Sequence, residues 1–107
     1  MNTLTTDISL ALVQKVSVTK EALTVELDDG RTVSVPLAWY PRLLHGTSKE
    51  RSDWRLISKG EGIHWPQLDE DISAENILAG NPSGESQQSF KKWLEQRASG
   101  NKSSIDI

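Results

Sequence analysis

Three rows of alternating apolar residues lie between Val16 and Leu37: Val16 and Val18, then Leu23, Val25 and Leu27, then Val33, Val35 and Leu37. A period of two marks a strand with one buried face, and a slip of one residue would turn that whole row to water. Parity therefore selects the turns. A two-residue loop at Asp29-Gly30 would pair Val25 with Ser34 and Leu27 with Thr32, which puts the two apolar rows on opposite faces. A three-residue loop, Asp28-Asp29-Gly30, pairs Val25 with Val33 and Leu23 with Val35, with Gly30 in the left-handed position of a bulge. A tight turn around Lys20-Glu21 pairs Val18 with Leu23 and Val16 with Val25, so all three strands share one buried face.

The period changes after Pro36. Pro41 is tolerated only in the first turn of a helix. A helix from Trp39 or Tyr40 to His45 would group Tyr40, Leu43 and Leu44, with Gly46 at its end. Thr47-Ser48-Lys49-Glu50 has the spacing of a capping box and predicts a second helical turn to about Asp53. Trp54-Arg55-Leu56-Ile57 reads as a strand, and Gly60 and Gly62 as hairpin turn residues without the lysine of a phosphate loop. Ile63-His64-Trp65 is too short to classify. If it is extended, His64 faces away from both neighbours. Ser73 is a good N-cap for a helix from Ala74 to Ala79 closed by Gly80, with Ile72 and Ile77 as its hydrophobic staple. The expected organisation is one domain over 1–80, a linker over 81–85, an amphipathic helix over 86–98 capped by Ser86, and a disordered tail over 99–107. Phe90, Trp93, Leu94 and Arg97 recur on one face of that helix. The fold class expected is α+β: a small antiparallel sheet of three to five strands, short helices on one face, and the C-terminal helix.

A chain of 107 residues buries one modest core, and four tryptophans among six aromatic residues must supply much of it. The net charge of −3 argues against wholesale binding of nucleic acid or anionic membrane. The absence of cysteine excludes disulfides, thiolate catalysis and Cys-based zinc sites, and it favours a reducing, cytoplasmic setting. No secretory leader and no membrane-length apolar run is legible.

Aromatic and charged residues converge between Trp39 and Gly80. Asp69, Glu70 and Asp71 with His64 could hold a hard divalent cation. They lack the calcium-loop pattern and a second histidine, and they fit better as structural acids ahead of the Ser73 helix, accepting hydrogen bonds from Arg42 or Arg51. His64 is of the residue type that serves as a general base, yet no nucleophile elbow or oxyanion loop accompanies it. Trp39, Tyr40, Trp54 and Trp65 could stack bases or anchor a partner, and at least two of the tryptophans are expected to close the core.

The segments D-D-G-R-T-V-S-V-P-L-A-W-Y-P-R-L, E-R-S-D-W-R-L, G-I-H-W-P-Q-L-D-E-D-I and I-L-A-G occur in this order. Together they resemble the bacterial family catalogued as domain of unknown function 2442, over roughly residues 13 to 80. The matching positions are Trp39, Pro41, Arg42, Leu43, Glu50, Arg51, Trp54, Gly62, His64, Trp65, Leu68, Asp69, Asp71, Leu78 and Gly80. The resemblance implies a small α+β domain, found alone beside another small gene in a toxin–antitoxin-like arrangement, or joined to a helix-turn-helix. It brings no catalytic residue. Residues 81–107 offer one helix, short of a helix-turn-helix.

The reading is a non-enzymatic protein-binding or regulatory module, the antitoxin-like half of a bacterial two-protein system. It uses no cofactor or metal. Its partner is another small protein or a second copy of itself. The candidate partner-binding residues are Trp39, Tyr40, Arg42, Arg51, His64 and Trp65, with Phe90 and Trp93 on the C-terminal helix as a second docking element. The alternative is a nucleic-acid-associated regulator using Arg42, Arg51, Arg55, Lys91 and Lys92. Last comes a metal-dependent hydrolase using His64, Asp69 and Asp71.

Overall fold

The computed structural model describes residues 11–106, with side chains for residues 11–99. Among the described residues six strands divide into two antiparallel three-stranded sheets, where the sequence suggested one sheet of three to five strands. The first sheet is β1 (Val13–Val18), β2 (Ala22–Leu27) and β3 (Thr32–Pro36), in that order. Its registers are those that parity selects: Val18 opposite Leu23, Val16 opposite Val25, Leu23 opposite Val35 and Val25 opposite Val33. The three-residue loop closes with the Leu27 amide donating to the Arg31 carbonyl at 2.8 Å, and Gly30 has φ +94°.

One feature of β1 was not legible. The register shifts between Val13 and Lys15, a bulge that sets Val13 opposite Leu27. Strict alternation would have pointed Val13 outward, because it differs in parity from Val16. The bulge returns it to the core, where it is 1% exposed.

Leu37–Trp39 forms a single 3₁₀ turn before α1 (Pro41–Leu44), with Pro41 in the first helical position. Tyr40 and Leu43 are buried, but Leu44 is 39% exposed, which corrects the expected grouping: one residue further around a four-residue helix already faces water. Gly46 is not a left-handed cap. It is buried, and a Cβ there would lie 2.9 Å from a Leu68 methyl, so the position serves close packing. α2 (Ser48–Ser52) starts with the full reciprocal capping box of Thr47 and Glu50.

The second sheet is β4 (Arg55–Ile57), β5 (Gly62–Trp65) and β6 (Glu70–Ser73), in that order. Ile63, Trp65 and Ile72 face the core. The β4–β5 turn carries three consecutive positive φ values, at Ser58, Lys59 and Gly60. At Gly60 φ is +118°, and an added Cβ would stand 2.3 Å from the Val13 carbonyl oxygen, so only glycine fits. The Gly60 carbonyl accepts the Val13 amide at 2.8 Å, which joins the tip of this hairpin to the start of β1.

α3 (Ala74–Ala79) is capped by the Ser73 hydroxyl and closed by Gly80 in the left-handed conformation, with Ile72 and Ile77 both buried as the staple requires. The linker is tied down: the Ser83 amide donates to the Trp39 carbonyl at 2.9 Å and the Tyr40 hydroxyl to the Asn81 carbonyl at 3.2 Å. The last helix, α4, is Gln87–Asp106, and the Ser86 hydroxyl accepts from the Ser89 amide ahead of it. The disorder expected of 99–107 falls almost wholly on residues whose side chains lie outside the described ones. Buried side chains of both sheets, α1, α3 and α4 form one hydrophobic cluster.

Candidate functional site

The candidate residues separate into three groups. Tyr40, Trp65 and Trp93 belong to the core; Trp65 is wholly buried. Its indole N–H donates to the Arg51 carbonyl at 3.0 Å, satisfying the one polar atom that so large a buried ring carries. These three are therefore packing residues in this fold. Trp39 and Trp54 are half-buried against the same core.

Arg51 is structural as well. Its guanidinium donates to the carbonyls of Leu43 and Leu44 at 2.8 and 2.9 Å, meeting acceptors that a four-residue helix leaves unpaired. No acid of the 69–71 triplet pairs with it.

Arg42, Phe90 and Trp93 come together in a clamp that holds α4 on the domain. The Arg42 Nε donates to both carboxylate oxygens of Glu85, at 2.9 and 3.0 Å, and its Nη1 to the Asp69 carbonyl at 3.0 Å. Its guanidinium carbon also lies 5.1 Å from the Trp93 ring centre. Arg97 stands against the same ring at 4.8 Å and makes two hydrogen bonds of 3.0 Å to Glu50. Phe90 stacks on Trp93 at 5.7 Å and meets the His45 ring edge-on at 5.0 Å. Hydrogen bonds from Arg97 hold the Glu50 carboxyl below its ordinary range, and those from Arg42 do the same for Glu85. Glu85, Glu50 and Arg97 escaped the sequence reading as a set. Their partners are about forty to fifty positions away, and only the capping-box role of Glu50 is local.

The acidic triplet disperses. Asp69 sits in the β5–β6 turn with φ +51°, its carboxylate exposed and 3.7 Å from Arg42. Asp71 lies opposite His64 and accepts from its Nδ1. Glu70 turns inward beside Tyr40 and Arg42, and its Oε2 is buried without a hydrogen-bond partner. Burial pushes its pKa to about 7, against the pull of Arg42, with Glu85 and Asp71 adding to the rise. Among the described residues no three metal-ligating side chains converge.

The outer face of the second sheet carries one row of Arg55, His64 and Asp71 and another of Ile57, Gly62 and Ser73. His64 faces outward while Ile63 and Trp65 face in, and its bond to Asp71 leaves Nε2 as the ring atom available for contact. β4 is one of the two edge strands of this sheet, β6 being the other. Arg55, Leu56 and Ile57 are all exposed, and their backbone makes no bond beyond β5 and the hairpin turn among the described residues.

The fold and these surfaces define a small two-sheet α+β domain with a C-terminal helix latched over α1 and α2. The sequence pattern described as "Protein of unknown function (DUF2442)" matches residues 13–83, and the chain belongs to that family. Among curated proteins none matches. Two solved structures share the fold with a TM-score of 0.61 each. One is a protein of unknown function from Rhodospirillum rubrum, at 22% identity over 72% of this chain and 95% of its own. The other is an uncharacterized protein from Chromobacterium violaceum, at 15% identity over 90% of this chain and 84% of its own.

Proposed function

We propose that this protein is a non-enzymatic protein-binding module that recruits an extended, acidic segment of a partner along the free edge of β4. The observation that carries this reading is the edge itself. Among the described residues nothing pairs with its outer backbone groups, which can extend a ladder, and Leu56 and Ile57 stand 37% and 38% exposed on opposite faces of the strand. Arg55 and Lys59 bracket these two side chains and make no ion pair among the described residues, which favours an acidic partner. His64, next to Arg55 on the outer face, adds a polar contact. A regulatory, antitoxin-like role within a two-protein system belongs to this proposal, as does a cytoplasmic setting. No helix among the described residues is long and apolar enough to cross a membrane.

The test is a nuclease-treated pull-down from native extract with three full-length baits. One stoichiometric protein should be held by the wild type, lost with Leu56→Asp/Ile57→Asp and retained with Trp93→Phe. Retention by the edge variant would sink this reading. Recovery of nucleic acid, released steeply by salt, would favour the nucleic-acid regulator instead.

A further inference from the structure

The contacts of α4 have a polarity that the β4 edge does not involve. At one end of the face formed by α1 and α2 a cation, Arg42, holds Glu85. At the other end an anion, Glu50, holds Arg97. Between them Trp93 lies against both guanidiniums and Phe90 packs on His45. From Gln87 to Arg97 is about 15 Å of helix, with Glu85 two residues ahead of its start, so the two ion pairs fix direction and register while the aromatic rings supply the apolar anchor. Arg42, His45 and Glu50 lie within the residues that define the family domain, whereas Glu85 to Arg97 lie beyond them. The clamp contacts of this segment are made by side chains: Glu85 to Arg42, Trp93 against Arg42, and Arg97 to Glu50. We propose that the α1–α2 face is a receptor for an amphipathic helix of a partner protein, and that α4 is its built-in competitor.

The partner helix is defined by what α4 shows to fit: an acid, an aromatic residue five positions on, a second aromatic three further, and an arginine four beyond that. A reversed helix would set Glu50 against an acid and Arg42 against an arginine, so orientation is enforced by repulsion as well as attraction. Because α4 is tethered, its effective concentration is on the order of millimolar, and a partner must exceed that or profit from a loosened latch.

The probe is a fluorescent synthetic peptide of residues 84–99. It is titrated against the full-length wild type and against a full-length Phe90→Ala/Trp93→Ala variant whose fold is checked by circular dichroism. The expected result is binding to the variant at least tenfold tighter than to the wild type. A Glu85→Arg peptide should fail on that variant and bind again when the variant also carries Arg42→Glu. A folded variant that ignores the peptide, or a charge-reversed peptide that binds equally well, overturns the proposal. Should the variant unfold, a full-length chain with a protease site inserted between Ser83 and Gly84 is cut and then offered excess peptide. Entry of the labelled peptide supports the receptor, and exclusion overturns it. A wild-type dimer by light scattering, with α4 exchanged between copies, would assign the seat to a second copy and overturn the partner reading.

Discussion

Arg97 and Glu50 stand 47 positions apart in sequence and meet through two parallel hydrogen bonds of 3.0 Å. Glu50 is already the capping-box residue of α2, so one carboxylate both starts a short helix and retains a long one. Replacing Arg97 with Ala should cost about 1 kcal/mol, and Lys should recover only part of it, since an ammonium cannot form the paired geometry. A double-mutant cycle with Glu50→Gln in urea should show coupling. Additive losses would mean that the pair contributes nothing.

The same clamp should release in acid. Glu50 and Glu85 titrate below their ordinary value in the folded chain, so their stabilisation is complete above about pH 4.5 and is lost as pH falls through the lowered values. Trp93 fluorescence should report separation from the two guanidiniums in that range. A flat acid limb in a Glu50→Gln/Glu85→Gln variant would confirm the origin, and an unchanged limb would refute it.

Glu70 works with the opposite sign. Its folded pKa, about 7, lies above the unfolded value near 4.5, so the folded state binds the proton more tightly. Its contribution is fully present below about pH 4.5, declines as pH rises through the window to about 7, and stays lost above it. Glu70→Gln, which carries no charge, should therefore stabilise the protein at pH 8 by about 1–2 kcal/mol and change little at pH 4.5. Thermal unfolding across that window decides, and an equal shift at both ends would contradict this account.

Trp93→Ala should cost about 3 kcal/mol and detach α4, because the ring is its buried anchor while Phe90 and Leu94 are only partly buried. Far-UV circular dichroism should lose helical signal while the two sheets persist. A single cooperative transition with undiminished helix would show that α4 is held by something else.

Much of the first sheet was legible because its information is local. Val16, Val25 and Val33 share a face only in registers of one parity, and parity combined with tight turns selects the observed set without knowing the rest of the chain. The caps at Thr47 and Ser73 were equally local. What escaped was information carried by distance. β6 was read as an acidic approach to α3, because Glu70-Asp71-Ile72-Ser73 carries a single apolar residue and shows its pattern only opposite Ile63 and Trp65. Had the strand been seen, Ile72 facing in would have placed Glu70 facing in as well. The tryptophans showed the limit most plainly. Residue type says that Trp39, Trp65 and Trp93 matter, but whether each faces core or water depends on what lies over it, and for Trp93 that includes Arg42 from the other half of the chain.

The contact of Gly60 with Val13 sets the chain's tolerance for change. Hairpin tips are ordinarily where a protein accepts insertions, tags and length variation. Here the tip is an internal joint: its glycine meets the backbone of the bulged first strand with no room for a methyl group, and it accepts that strand's amide. Lengthening the β4–β5 turn would part the two sheets instead of decorating the surface, so the freedom to vary lies elsewhere, at open positions such as Gly84 in the loop before α4.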